Sequence, residues 1–460
     1  MRFKFKDDYI EKVKELIGNK GYKCYINTMG CQLNENDSAK YMGMFEKMKI
    51  EHTDNIDEAN IILFNTCCVR ENAENTLFGR LGALKQRKKE NKNLYIIVVG
   101  CMSQQKQILD KIKKTYSFVD IVLGTNSMHK FPQALYDAIV SNKKIYDYVD
   151  IDGDVIEDIP VTYSDKYKAQ VSIIYGCNNF CTYCIVPYVR GRERSRKVED
   201  ILNDVQKLAD KGYKEILLLG QNVNSYGKDL KDQNITFSYL LKQIEKVEGI
   251  EIIRFVSPHP KDFTDELIET IANSKKIAKQ VHLPLQSGNN NILKAMNRKY
   301  TKEQYLELAE KIKEKIPDVS FSTDIIVGFP GETAKDFEDT IDVVKKIKSD
   351  QIFMFIYSKR EGTIAAKMQD DTTQEEKVKR LETLKKLYEQ ILNENNQKLI
   401  GKIFKILVEG RSKNNTKYYT GRTDSNKSVI FEAKEEMIGT VQKVKIEENH
   451  LWYLKGSIQY

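Results

Sequence analysis

A multidomain α/β chain ending in a small antiparallel β-barrel is predicted by three observations. Short β-rich runs alternate with longer amphipathic ones from about residue 21 to 142. A second such series, of six units, fills residues 169–357. From residue 401 the texture changes to β-prone runs without intervening helices. Strands that alternate with helices build parallel sheets, and a late run of strands alone builds a separate antiparallel unit. The length of 460 residues exceeds what one core organises, so several domains are expected.

The first series has strand candidates at 22–27, 61–65, 94–99 and 121–123. It predicts a flavodoxin-like parallel sheet with helices on both faces, over residues 21–142. Residues 1–20 read as an extra charged helix, and the acidic, turn-rich stretch 143–168 reads as a linker or edge hairpin. The second series has strand candidates at 169–175, 215–219, 251–256, 279–283, 320–327 and 351–357. Six βα units fit a partial (β/α)6 barrel better than a closed eight-stranded one, with chemistry at the strand C-terminal ends. One long charged helix, 374–397, closes a domain spanning 169–397, and residues 398–460 form the terminal barrel.

Hydrophobic residues are 41% and charged residues 30% of the chain, which is ordinary globular usage and excludes wholesale disorder. The net charge of +8 permits an anionic partner without demanding one. The first twenty residues contain no apolar core of an export signal, and no apolar run approaches the ~20 residues that cross a bilayer. A soluble, cytoplasmic protein with no membrane partner is expected. There, eight cysteines suit metal or catalytic use better than disulfides.

Run 169–175 leads straight into Gly176-Cys177-Asn178-Asn179-Phe180-Cys181-Thr182-Tyr183-Cys184, a C-x-x-x-C-x-x-C spacing. Three thiolates so close can hold three irons of a four-iron cubane and leave the fourth iron open. An open iron can be chelated by the amino and carboxylate groups of a methionine-like cofactor. The competing reading is a zinc loop, but tetrahedral zinc wants a fourth ligand. No Cys follows Cys184, and no His precedes His259 downstream of it.

Cys31, Cys67 and Cys101 each follow a strand of the first series. In a parallel sheet they emerge at one C-terminal edge, where open α/β sheets place ligands, so three thiolates can converge there. Cys24, inside a strand, and Cys68, beside Cys67, read as small buried hydrophobes. Past the cysteine loop, Arg190, Arg192, Arg194, Arg196 and Lys197 form a basic run suited to RNA phosphates and stacked bases, with a solvated basic face as the plain alternative. Turns carrying Gly220 and Gln221, Ser257 and His259, Gln286, and Gly328 follow successive barrel strands. Each alone is punctuation, but together they fit a nucleoside-bearing cofactor. His259 reads as a rim hydrogen-bonding group rather than an acid or base. In residues 401–460 Lys and Arg outnumber Asp and Glu 11 to 7; Tyr418, Tyr419 and Trp452 there suit either base stacking or the small barrel's core.

The loop around Cys177, Cys181 and Cys184, with Tyr183 before the last cysteine, resembles that of the radical-SAM superfamily. Together with TMGCQLN, NTCCVRENAE and GCMSQ around Cys31, Cys67 and Cys101, the chain resembles the methylthiotransferases of that superfamily. Segments 185–196 (IVPYVRGRERSR) and 221–227 (QNVNSYG) are similar to those of the members that act on dimethylallyladenosine in tRNA. The resemblance implies an N-terminal three-cysteine domain, a radical-SAM barrel and a C-terminal TRAM domain that binds RNA. It implies two 4Fe-4S clusters, an auxiliary one on Cys31, Cys67 and Cys101 and a radical-generating one on Cys177, Cys181 and Cys184. It also implies two SAM molecules per turnover, one giving its methyl group and one cleaved to a deoxyadenosyl radical. Tyr183, Gly220, Gln221, Ser257, Gln286 and Gly328 fall in the implied SAM pocket. The implied partners are the tRNA anticodon stem-loop, a low-potential electron donor and a sulfur source. Rival readings are a methylthiotransferase acting on a ribosomal protein or on threonylcarbamoyladenosine, and a non-catalytic iron-sulfur RNA-binding or redox-sensing protein.

Overall fold

A computed structural model describes residues 2–68, 72–148, 153–232, 234–412 and 415–459. Residues 149–152 of the expected linker therefore lie outside the described residues, as do 69–71 of the NTCCVRENAE segment.

The N-terminal sheet has six parallel strands in the spatial order Glu51–His52, Lys23–Met29, Ile61–Thr66, Tyr95–Gly100, Ile121–Leu123, Ile145–Asp147. Numbered along the chain, this is 2-1-3-4-5-6, the flavodoxin-like winding, whose direction reverses between the strands ending at Met29 and Thr66. The central strands are buried along their whole length, because a doubly covered parallel sheet leaves no wet face. Side chains alternate between two cores: Ile61, Leu63, Ile97 and Val99 enter one, and Ile62, Phe64, Ile96 and Val98 the other. The helix Asp8–Ile17 puts Ile10, Val13 and Ile17, one stripe at i, i+3 and i+7, into the first of these cores. The charged leading segment is therefore an integral layer of the domain. Within the stretch read as a linker, Ile145–Asp147 is the sixth strand of this sheet and Val155–Glu157 pairs with Arg2–Lys4.

The central domain has six parallel strands in two triplets. Lys168–Ser172, Glu215–Leu219 and Ile252–Phe255 form one, and Gln280–His282, Ser320–Val327 and Gln351–Ile356 the other. A parallel bridge between Ile253 and Ile277 joins them, giving an open six-stranded barrel wall. The helix Gln374–Gln397 lies against the last two strands, with Leu384, Tyr388 and Ile391 in a shared core.

The C-terminal unit is a six-stranded sheet ordered Ile403–Leu407, Val441–Asn449, Leu454–Ile458, Ser428–Glu432, Tyr418–Arg422, Gly410–Arg411. Its two edge strands follow each other in the chain with only Val408 and Glu409 between them, so the sheet must curl on itself. One pair departs from the expected antiparallel pattern: Ser428–Glu432 runs parallel to Leu454–Ile458. This unit docks where the barrel strands begin. Arg254 donates to the carbonyls of Asp424 and Thr423, at 2.9 and 3.0 Å, and Lys168 and Asp350 pair with Glu409 and Lys427, at 3.1 and 2.8 Å. Tyr419 fills the small core, whereas Trp452 is 57% exposed. Among the described residues no helix is long and apolar enough to cross a membrane.

Candidate active site

The strand Lys168–Ser172 and the short strand Ile174–Tyr175 deliver the chain into the cysteine loop, and Gly176 makes the turn with φ +77°. A Cβ there would stand 2.0 Å from the Arg192 carbonyl oxygen. Gly176 is thus required twice, for its left-handed backbone and for its missing side chain. Gly176→Ala is expected to displace the loop and lower the iron bound by reconstituted protein, while Gly212→Ala, at another positive φ in open space, leaves iron content unchanged.

The loop is moored from the chain following the fourth strand. Thr182 donates through its backbone N–H to Met296, at 3.1 Å, and through its hydroxyl to Ala295, at 2.8 Å. The Asn297 amide donates to the Phe180 and Asn179 carbonyls. Arg298, buried, donates to the Cys181 sulfur at 3.4 Å and to the Pro284 carbonyl at 3.1 Å. Burial pushes the Cys177 and Cys184 thiols up to about 12, so bare thiolates there need a compensating positive charge. The Gln221 carboxamide oxygen accepts from the Gly176 N–H, and its own NH2 is buried without a partner. Asn179 and Asn222 each hold a buried side-chain oxygen in the same condition.

Cys31 and Cys67 follow the two strands at the reversal point of the N-terminal sheet, and Cys101 follows the next strand. Hydrogen bonding to Cys67, and then the charge of Arg190, hold the Cys31 thiol below the ordinary thiol range. The Cys101 thiol is lowered by a hydrogen bond from Cys68 and by Arg190. Cys68 is buried with Cys101 against Ile185 and Val189 of the barrel domain, while Cys24 is buried in the sheet core.

One cavity of about 1580 Å³ is reached by members of both cysteine sets, although Cys101, Cys177 and Cys181 are not in its lining. Cys31 and Cys67 line it from the N-terminal domain, and Tyr183, Cys184, Ser257 and Gln286 from the barrel. Ser257 and Gln286 adopt φ of +59° and +70°, and Phe180 in the cysteine loop +48°. Such backbone in non-glycine residues concentrates at functional rims. Gly220, Gln221 and Gly328 are absent from that lining. Gly220 packs on Ile174, Gln221 braces Gly176, and Gly328 backs onto Lys377 and donates to Glu332, which pairs with Arg380 at 2.8 Å. These three positions stand behind the wall and support it. His259 accepts from the Lys261 N–H, and burial, with the charges of Arg298, Lys261 and Lys228, lowers it to about 2; it stays neutral at working pH.

The basic run divides. Arg190 and Arg196 are buried, and this corrects their reading as RNA-facing charges. Arg190 pairs with Asp37 at 2.8 Å, and Arg196 with Glu157 and with Asp204 at 2.7 Å. Arg194 donates to Asn126 and to the Arg190 carbonyl. Arg192 and Lys197 are exposed, with Arg192 over the Phe180 ring at 4.3 Å. Sequence reading missed Asp37, Glu157, Asn297 and Arg298, because their importance lies in partners far along the chain.

Three family models match: the radical SAM superfamily over residues 171–344, an uncharacterized protein family, UPF0004, over 23–124, and the TRAM domain over 397–458. The tRNA-2-methylthio-N(6)-dimethylallyladenosine synthase of Acetivibrio thermocellus is 50% identical, covering 98% of this chain and 95% of its own. Those of Thermoanaerobacter pseudethanolicus and Clostridium botulinum are 51% and 50% identical, over 97% and 99% of this chain and 96% and 99% of theirs. The chain belongs to this family. Among solved structures, the radical S-adenosylmethionine methyltransferase TsrM from Kitasatospora setae shares the fold. Its TM-score is 0.54 and its identity 12%, over 75% of this chain and 77% of that one. Family membership makes this a radical-SAM enzyme, and a family of this kind carries a 4Fe-4S cluster and SAM.

The residues present fit such groups. Among the described residues no three His, Cys, Asp or Glu side chains converge tightly enough to grip a single ion. A cubane instead needs thiolates spread around it, one to an iron. The unpartnered buried nitrogen of Gln221 and the side-chain oxygens of Asn179 and Asn222 add polar capacity beside the loop.

Proposed function

We propose that this chain converts dimethylallyladenosine beside the tRNA anticodon to its 2-methylthio derivative. Cys177, Cys181 and Cys184 hold the radical-generating cluster, and Cys31, Cys67 and Cys101 an auxiliary one. When bound, these clusters and two SAM molecules supply the one-electron cleavage, the sulfur and the methyl group. The observation that carries the reading is that Cys31, Cys67 and Cys184 line one cavity, so a base held there is within reach of both centres. At about 1580 Å³ the cavity exceeds the ~300–1,000 Å³ typical of a single small-ligand site, as a SAM and a modified nucleoside together require.

The protein's own part is holding and orienting. Tyr183, Ser257 and Gln286 form the wall on which SAM rests, with Gly220, Gln221 and Gly328 behind it. Neutral His259 does not shuttle protons, consistent with the removal of an aromatic C–H hydrogen lying outside side-chain acid–base chemistry. Exposed Arg192 and Lys197 meet the anticodon stem-loop, and the TRAM domain, with Trp452 exposed, adds RNA affinity. A low-potential electron donor and a sulfur source complete the reaction in the cytoplasm, over an N-terminal domain that extends beyond 21–142 to take in the helix Asp8–Ile17 and the strand Ile145–Asp147, the barrel domain 169–397 and the terminal domain 398–460.

Mass analysis of tRNA nucleosides from cells lacking this gene is expected to show accumulated dimethylallyladenosine, and its 2-methylthio form should return on complementation. An unchanged nucleoside profile overturns the substrate assignment and favours a protein target.

A further inference from the structure

Arg190 ends the short helix Val186–Arg190, which begins two residues after Cys184. It is 5% exposed, and its two functional contacts both cross into the N-terminal domain. Its Nε donates to the Cys101 sulfur at 3.1 Å, and its Nη2 donates to Asp37 Oδ2 at 2.8 Å. Asp37, also buried, lies in the helix Gln32–Lys47, which starts immediately after Cys31. The Thr125 hydroxyl donates to the neighbouring Val189 carbonyl at 2.7 Å and clamps the helix on the same domain.

A buried guanidinium is costly unless paired, and one carboxylate would have satisfied its charge. The fork does more than pair. Asp37 holds one arm, and the planar geometry thereby fixes Nε on the sulfur, an arrangement a lysine ammonium cannot reproduce. A charged N–H aimed at a cysteine sulfur withdraws electron density from it and favours the reduced state of any iron that sulfur binds. Hydrogen bonds to the sulfurs and net charge are the levers that set iron-sulfur potentials.

We propose that Arg190, oriented by Asp37, is a positioning residue that raises the reduction potential of the auxiliary cluster through Cys101. The proposal rests on the reading of Cys31, Cys67 and Cys101 as that cluster's ligands. Because Arg190 belongs to the barrel domain, the contact also makes the potential depend on docking between the two domains: separating them removes the cation from the sulfur.

The test uses full-length protein in which Cys177, Cys181 and Cys184 are all alanine, so that reconstituted iron reports the auxiliary site alone. Iron and sulfide are quantified, and the midpoint potential is read by redox titration followed by electron paramagnetic resonance. The double variant Arg190→Gln/Asp37→Asn keeps the pair's net charge and an amide contact but loses the cation on sulfur. Its midpoint is expected to shift to more negative values at unchanged iron content. An unmoved midpoint at full iron content reduces Arg190 to a domain anchor and overturns the inference. No iron in the parent triple variant instead overturns the ligand reading itself, so the two failures are distinguishable. If the double variant does not hold iron, Arg190→Lys takes its place: it keeps the charge, loses the fork, and must shift the midpoint in the same direction for the inference to stand.

Discussion

Cys181→Ala is expected to abolish formation of 5′-deoxyadenosine from SAM by the reduced, reconstituted enzyme, while about half the iron stays bound. The substitution removes one sulfur and little else. The turn between Cys181 and Cys184 is closed by a backbone bond, Cys184 N–H to the Cys181 carbonyl at 2.9 Å, and the Thr182 moorings to Ala295 and Met296 do not involve the lost side chain. Arg298 keeps Pro284 and Tyr300 as partners when the Cys181 sulfur is gone. The loop therefore keeps its path, and the loss falls on the metal centre. Cleavage product and iron content are measured on the same sample. Deoxyadenosine at the parent level would sink the assignment of this loop, and loss of all iron would sink the independence of the two cysteine sets.

Much of this was legible because the residues concerned act locally. The C-x-x-x-C-x-x-C loop is contained in eight residues, and the long apolar runs of central parallel strands announce themselves. The helix Gln374–Gln397 is bounded in the chain as its charge pattern predicts. The placement of Cys31, Cys67 and Cys101 after three neighbouring strands of one sheet followed from parallel winding alone. What could not be read was anything decided by partners. Glu51–His52 and Ile145–Asp147 are two or three residues long and carry Glu, His and Asp; backbone pairing to a preformed neighbour makes them strands, not a hydrophobic period. The parallel pairing of Ser428–Glu432 with Leu454–Ile458 joins strands that are not successive, where a hairpin rule has nothing to say.

The arginine run shows the same limit in the site itself. Five positive charges in eight residues read as one surface, yet burial depends on acceptors the run does not contain. Asp37 lies 153 residues before Arg190, and Glu157 lies 39 before Arg196. No simple alternation separates them: Arg190, Arg192 and Arg196 stand at even spacing, yet Arg192 and Lys197 reach solvent while Arg190 and Arg196 turn inward onto their carboxylate partners. The pocket residues divide likewise: Ser257 and Gln286 line the cavity, but Gly220 and Gly328 serve by having no side chain where Ile174 and Lys377 pack.

Arg196→Ala is accordingly expected to act on stability, costing about 3–5 kcal/mol, the usual penalty for breaking a buried ion pair by removing one partner. Its guanidinium joins three elements: Glu157 on the strand Val155–Glu157, the Ser172 carbonyl at the end of the first barrel strand, and Asp204 on the helix Val198–Asp210. Without it, buried Glu157 loses its counter-ion. Arg196→Lys should recover only part of the loss, because an ammonium cannot reproduce the planar fork that spans these acceptors. Arg192→Ala is the informative contrast. Its side chain is exposed and lies over the Phe180 ring, and contacts of an exposed cation contribute about 0–1 kcal/mol, so the unfolding midpoint should move far less than with Arg196→Ala. On the proposed contact of Arg192 with the anticodon stem-loop, losing its charge should instead weaken tRNA binding and reduce its salt dependence. Thermal unfolding and tRNA affinity at two salt concentrations, measured for both variants, separate the roles. Equal destabilisation by both substitutions, or a tRNA defect confined to Arg196→Ala, would return the basic run to the single surface that its composition suggests.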